Sequence, residues 1–367
     1  MLSKNNKWCA LVTVLIFLMV LTAGCSTGTK EESNPTPNNE AKTETPKSPE
    51  TSKSADKANA TADFYKGKTV KFIVPFNPGG GFDSYARLVA PFLEKELGAK
   101  RVLVENIPGG GSIKGTNQFY TSEPDGLTIS IVNLLGIIPA QLTGREGVKF
   151  DLNKMNWVAR LASDPQVLVV SPDSKFKTFD DMLKAKSFTF AATSTTGSTY
   201  VNPVALTYGF KLNSEILTGF EGSSGTDMAV MRGDADATMA SMSSKLSAIK
   251  ANNLKPLLVV HKEKVSELPD VPNAIDFVRN DDEKKVVGSV SSIAAAGRSI
   301  VLPPGTPEDR IEYMRDVFIK VLDNAELKQM AEKGGMPINP LRGDKLKELV
   351  DEAMQVPDGL LQKLKGK

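Results

Sequence analysis

Apolar positions along the chain alternate between a strand period and a helix period. Thr69 to Phe76 (TVKFIVPF) is a β-rich run. Asp83 to Leu97 then places Tyr85, Leu88, Val89, Phe92 and Leu97 at helical spacing, with Pro91 expected to kink the helix and Gly98 to stop it. Arg101 to Glu105, Gly126 to Val132, Gln166 to Ser171, Phe188 to Ala192, Glu215 to Leu217 and Pro256 to Val260 read as further strands. Thr116 to Ser122, Phe179 to Ala185, Val201 to Tyr208, Gly225 to Arg232 and Ser244 to Ala251 read as the helices between them. Glu308 to Leu322 is strongly amphipathic, with Ile311, Met314, Arg315, Phe318 and Leu322 on one face. Such alternation predicts an α/β body with parallel-dominated sheets covered on both faces.

The first 63 residues follow a different pattern. Lys4 and Lys7 precede an apolar run from Trp8 to Leu21, shorter than a spanning helix needs. It ends in Leu21-Thr22-Ala23-Gly24-Cys25, which resembles a bacterial lipobox. Residues 1 to 24 are therefore expected to be a lipoprotein signal peptide, and Cys25 the lipidation site that anchors the mature chain in the membrane. Residues 26 to 63 contain no Val, Ile, Leu, Met, Phe, Tyr or Trp, so residues 25 to 63 read as a lipidated Cys and a disordered tether.

Charge and composition exclude several classes. The chain carries 45 Lys and Arg against 43 Asp and Glu, and the excess lies in Lys4 and Lys7. A neutral body does not suit a dedicated nucleic-acid binder. With His261 the only histidine and Cys9 and Cys25 the only cysteines, a zinc site lacks ligands, and no metal or cofactor is expected. His261 stands in the charged run His-Lys-Glu-Lys and reads as a surface residue. Met228, Met231, Met239 and Met242 read as core.

The candidate chemistry lies in Gly/Ser/Thr-rich segments between strand ends and helix starts. They are Asn77 to Asp83, Pro108 to Ser112, Thr193 to Thr199 and Gly219 to Gly225. Glycine admits close backbone approach, and a helix start exposes unpaired N–H groups and partial positive charge. One such loop is equally a capped turn; four at strand C-terminal ends point to a cleft for a carboxylate or phosphate. Enzyme motifs fail on spacing. A Walker A ending in Gly67-Lys68-Thr69 has Ala62 where it needs Gly. G-x-G-x-x-G from Gly109, and G-x-S-x-G from Gly110, both meet Lys114.

Several motifs keep a fixed order over about residues 66 to 355. They are Phe72-Ile73-Val74-Pro75-Phe76 with Pro78-Gly79-Gly80-Gly81 and Asp83, Val104-Glu105-Asn106 with Pro108 to Gly111, and Pro124-Asp125-Gly126. Gly222-Ser223, Leu268-Pro269-Asp270-Val271-Pro272 and Pro303-Pro304-Gly305-Thr306-Pro307 follow. In these the chain resembles the tripartite tricarboxylate transporter substrate-binding family (TctC or Bug receptors). The resemblance implies a type II periplasmic-binding-protein-like fold, two α/β lobes with a ligand cleft between them. Lobe 1 would be 64–168 with a return segment 286–367, and lobe 2 would be 169–285.

It also implies a non-enzymatic solute-binding lipoprotein on the extracytoplasmic face of the cell membrane. Such a receptor captures a small carboxylate, a di- or tricarboxylate or related organic acid, by lobe closure. It delivers the acid to a permease with large and small membrane subunits. The ligand loops would be Asn77, Gly79, Gly80, Gly81, Phe82 and Asp83 on one lobe and Ser194, Thr195, Thr196, Gly197, Ser198 and Thr199 on the other, with Gly222 and Ser223 closing from lobe 2. Phe82 departs from the small residue usual in the family; its ring either stacks on an aromatic or apolar ligand or packs against the second lobe. A carboxylate-sensing receptor is the alternative function. An exported hydrolase is weakest, because no acid–base–nucleophile set survives inspection.

Overall fold

The computed structural model describes residues 59–195 and 197–365. The expected signal peptide, Cys25, most of the expected tether and Thr196 lie outside the described residues.

The chain enters through a helical stretch at 59–65. This corrects the tether expected as far as 63. Ala60 and Ala62 favour helix, and two aromatic residues anchor the turn. Tyr65 is fully buried and its hydroxyl donates to the Gly126 carbonyl at 3.3 Å. Thr61 Oγ1 donates to Asp309 Oδ2 at 2.9 Å. The Arg310 guanidinium lies 3.8 Å from the centre of the Phe64 ring.

Then come β1 (Thr69–Val74), α1 (Gly81–Leu97), β2 (Arg101–Asn106), α2 (Ile113–Tyr120), β3 (Thr128–Asn133), α3 (Leu134–Leu142) and β4 (Asn156–Ala162). Residues 163–165 lead to β5 (Gln166–Val170), α4 (Phe179–Leu183), β6 (Phe188–Ala191), α5 (Ser198–Phe210), β7 (Ser214–Leu217), α6 (Gly222–Arg232), β8 (Ala237–Ser241), α7 (Met242–Lys250) and β9 (Lys255–Val260). The return runs through α8 (Asp281–Ala296), β10 (Arg298–Leu302), α9 (Glu308–Leu322), α10 (Ala325–Lys333), β11 (Leu341–Arg342), α11 (Gly343–Ala353) and α12 (Asp358–Leu364).

The strands form two sheets, in the orders β11-β4-β10-β3-β1-β2 and β7-β6-β8-β5-β9. Both are mixed, which corrects the parallel-dominated expectation. In the first, β1 pairs parallel with β2 and β3, while β10 runs antiparallel to β3 and β4. In the second, β6 pairs parallel with β7 and β8, while β5 runs antiparallel to β8 and β9. The antiparallel members follow the two crossings between sheets, where the chain reverses sense. The division expected at 168/169 falls inside β5.

One buried apolar cluster joins side chains of both sheets through α8, including Trp157, Val301, Leu168, Phe190 and Val290. A second lies under α1 and α9, with Phe72, Tyr85, Leu93, Met314 and Phe318. α1 runs unbroken through Pro91, which faces solvent, so the carbonyl that loses its N–H partner can be hydrated. His261, expected at the surface, is 6% exposed: it directly follows β9, whose burial continues past the strand end before the charged residues turn outward. Met239 and Met242 are core, but Met228 and Met231 are exposed on the outer face of α6.

Candidate functional site

The first loop is built to hold its amides outward. Gly79 has φ +83, which favours glycine, and Gly80 sits at the helix N-cap with φ −80 and ψ 168 and caps nothing with a side chain. The first-turn N–H groups of α1 therefore lack an intrahelical partner and face an exposed loop, Asn77 to Gly81. Asp83 turns back into the protein. Its Oδ2 accepts the Gly79 N–H at 2.8 Å and Arg87 Nε at 2.9 Å, and its Oδ1 accepts Asn106 Nδ2 at 2.9 Å. Asn106 also donates to the Phe76 carbonyl at 3.1 Å, tying the end of β2 to the loop. Phe82 is half-buried, stacked on Phe76 at 4.7 Å and facing the Arg298 guanidinium at 5.0 Å. The ring contacts found for it, Phe76 and Arg298, both belong to the expected lobe 1 and not to the second lobe, against which it was expected to pack if it did not meet ligand.

Burial alone would raise the Asp83 carboxyl, but the Arg87, Gly79 and Asn106 donors outweigh it and hold the group below the usual carboxylate range. A depressed folded-state value means the network contributes fully above the unfolded value and is lost as pH falls through the folded one. Asp83→Ala is expected to speed amide exchange of residues 79–87 by about tenfold at neutral pH, and the parent to approach that rate only on strong acidification. Exchange corrected for its intrinsic pH dependence checks this; parental protection in Asp83→Ala would refute it.

The second sheet contributes three uncapped helix starts. Gly197 precedes α5 without a side-chain cap. Its loop is closed by Thr199 Oγ1, which accepts the Thr193 N–H at 3.0 Å and lies 2.9 Å from Thr193 Oγ1. Thr199 is thus buried in the loop's own bonding, whereas Ser194 and Thr195 are exposed and Ser198 half-buried. Arg145, beyond α3, reaches this loop and donates to the Thr195 carbonyl at 3.4 Å. Gly222, at φ +62, opens α6, and Ser223 Oγ donates to Ser244 Oγ at 3.2 Å while accepting from Lys245 Nζ at 3.0 Å.

The third start is that of α7, a helix expected from Ser244 to Ala251 whose serine-rich head was not among the candidate segments. Ser241, Ser243 and Ser244 stand at its head, and Ser241 makes no capping bond. Arg298 Nη2 donates to Ser241 Oγ at 3.2 Å and Ser243 Oγ at 2.8 Å, while Nη1 pairs with Asp164 Oδ1 at 2.8 Å. Ser241 Oγ also donates to Asp164. A Cβ at Gly81 would lie 3.2 Å from Arg298 Nη2 and 3.9 Å from Ser243 Oγ, so the first loop and α7 meet at this guanidinium. On the other side of the serine row, fully buried Lys245 pairs with Asp227 beneath Ser223. Burial pushes the Lys245 amine down and the Asp227 carboxyl up, each opposed by its partner. The candidate loops are thus underlain by two buried cations, each matched by a carboxylate. The signal in the sequence was Ser-Met-Ser-Ser at a strand-to-helix junction, a hydroxyl-rich start without glycine.

Chemically, the arrangement offers backbone amides, helix-start potential and hydroxyl donors to a small anion. His261 Nδ1 accepts the Glu263 N–H at 3.2 Å, and burial lowers the imidazole's affinity for a proton. Among the described residues, no helix is long and apolar enough to cross a membrane.

Residues 85–365 match the family described as "Tripartite tricarboxylate transporter family receptor". The chain is 24% identical over 290 residues to Protein BugT of Bordetella pertussis, covering 77% of this chain and 85% of that one. Two solved structures from Rhodopseudomonas palustris share the fold. MatC with bound malate has a TM-score of 0.62 at 19% identity, covering 80% of this chain and 99% of its own. A second protein, with adipate, has a TM-score of 0.62 at 16% identity, covering 82% and 97%.

Proposed function

We infer the function from one premise: the chain belongs to the tripartite tricarboxylate transporter receptor family. It is a solute-binding receptor of the periplasmic-binding type. Within that class it captures a small organic acid, a di- or tricarboxylate or a close relative. It hands the acid to a permease with large and small membrane subunits, and is held at the extracytoplasmic face of the membrane by lipid on Cys25. The expected lobes, 64–168 with 286–367 and 169–285, would close on the acid.

The observation that carries this reading is the head of α1. Its amides are uncapped at Gly80, while the nearest carboxylate, Asp83, is turned away and bonded to the loop itself. A carboxylate placed there would meet the first-turn amides, the Asp83 charge being already paired with Arg87 and the Gly79 N–H. Malate in one structural relative and adipate in another support a dicarboxylate. Asn77, Gly80, Gly81 and Phe82 would supply backbone contacts from one side, with the Gly79 N–H held by Asp83. Ser194 to Thr199, Gly222 and Ser223 would supply them from the other, with Asp83 and Thr199 holding the loops in shape. An acid touching both sides stabilises the closed state by its differential affinity for it.

The test is native mass spectrometry of the full chain purified without refolding, followed by a thermal-shift panel of mono-, di- and tricarboxylates with their neutral amides. At a hundredfold excess over Kd an acid stabilises by about 2.7 kcal/mol, a readily measured shift. Acids are expected to raise the melting temperature and their amides to leave it unchanged. Equal shifts from acid and amide would overturn the assignment.

A further inference from the structure

We propose that Arg298 is a positioning residue of the cleft, coupling the amide-bearing first turn of α1 to the second sheet. The inference rests on the acid-binding reading of that turn. Its structural basis is a single planar group in contact with three segments. The guanidinium carbon lies 5.0 Å from the centre of the Phe82 ring and 4.8 Å from that of Tyr85, residues three apart on one face of α1. One edge pairs with Asp164 in the crossing segment, and the other donates to Ser241 and Ser243 at the head of α7. Arg298 itself opens β10 of the first sheet and is 2% exposed.

Desolvated, packed on two rings of α1 and bonded through both Nη atoms, this group cannot stay bonded to α7 while the first turn of α1 shifts independently. The position of the Gly80–Phe82 amides is thereby tied to Ser241 and Ser243. An ammonium lacks the plane that stacks and the fork that bonds in two directions, so lysine would keep the charge and lose the coupling. Arg298 acts through α1.

Three full-length variants test this: Ser243→Ala, Arg298→Lys and Arg298→Met. Ser243→Ala leaves the Asp164 pair and both ring contacts in place and is expected to melt within about 2 °C of the parent. Without ligand, amides 79–87 are expected to exchange at least about threefold faster in Ser243→Ala and Arg298→Lys. Calorimetry with malate and adipate should show affinity weakened about five- to tenfold in these two and more in Arg298→Met. Parental exchange at 79–87 in both Ser243→Ala and Arg298→Lys would overturn the coupling, whatever Arg298→Met does. So would affinity losses that merely follow melting temperature, with Arg298→Lys as good as the parent. If the parent bound no acid while exchange still rose, the acid reading would fail and the coupling would stand.

Discussion

Gly80→Val is expected to fold like the parent and to lose binding of its acid by at least about a hundredfold, or about 2.7 kcal/mol. Gly80 is extended, at φ −80 and ψ 168, a conformation valine adopts readily. A Cβ there would find only the Asn77 carbonyl, at 3.7 Å, so the fold has room for it. The N-cap exchange of glycine for an apolar residue should cost no more than about 1 kcal/mol. The branched side chain would instead cover the amides at the head of α1, where the carboxylate is proposed to sit. Gly79 is unsuited to the same experiment, because its φ of +83 would confound lost binding with a strained loop. Calorimetry with malate and adipate, beside a melting curve, separates the two effects. Parental affinity in a folded Gly80→Val chain would move the site away from α1.

Gly297→Ala should have the largest effect on stability, destabilising by about 4 kcal/mol or more and lowering the melting temperature by about 10 °C or more. Gly297 adopts φ 54 and ψ −131, a region closed to L-residues. A Cβ would lie 2.2 Å from the Ala162 carbonyl oxygen, 2.7 Å from Ser163 Cα and 2.9 Å from Asp164 N. All three are backbone atoms, at the end of β4 and in the crossing that follows it, so no side-chain rotation relieves the clash. Gly288, in the middle of α8, is the control. A Cβ there meets nothing within 4 Å, and Gly288→Ala is expected to be neutral or to stabilise by up to about 1 kcal/mol. A Gly297→Ala chain that melts with the parent would refute the close approach of the two crossings.

The elements easiest to read in the sequence were those that bury one face only. α1 and α9 have solvent on one side, so their apolar residues recur at a visible period, while β1 showed as a run of β-branched and aromatic residues. α8 was invisible for the opposite reason: from Val286 to Ala296 it is buried on nearly every face and packed with Ser, Ala and Gly, leaving no stripe. β8 is short and built of small residues, and β10 is buried along its whole length, so neither alternates. Missing both strands, and β4 beside β10, hid most of the antiparallel pairings and the serine row after β8. The glycine loops were legible because positive φ and helix starts leave a compositional trace. Arg298 left only a weak one, a single charge between Ala294-Ala295-Ala296-Gly297 and Ser299-Ile300-Val301-Leu302. Its importance comes from partners more than 50 residues away in sequence, which no local pattern records.

The helical stretch at 59–65 docks beside Gly126 and Arg310, at the edge of the first sheet where β1 begins. The glycine loop of the first sheet lies past the opposite edge, across the six residues of β1, a span of about 20 Å. The stretch therefore leaves the head of α1 uncovered, and a label attached at Ala60 or Thr61 would sit a strand's length from those amides.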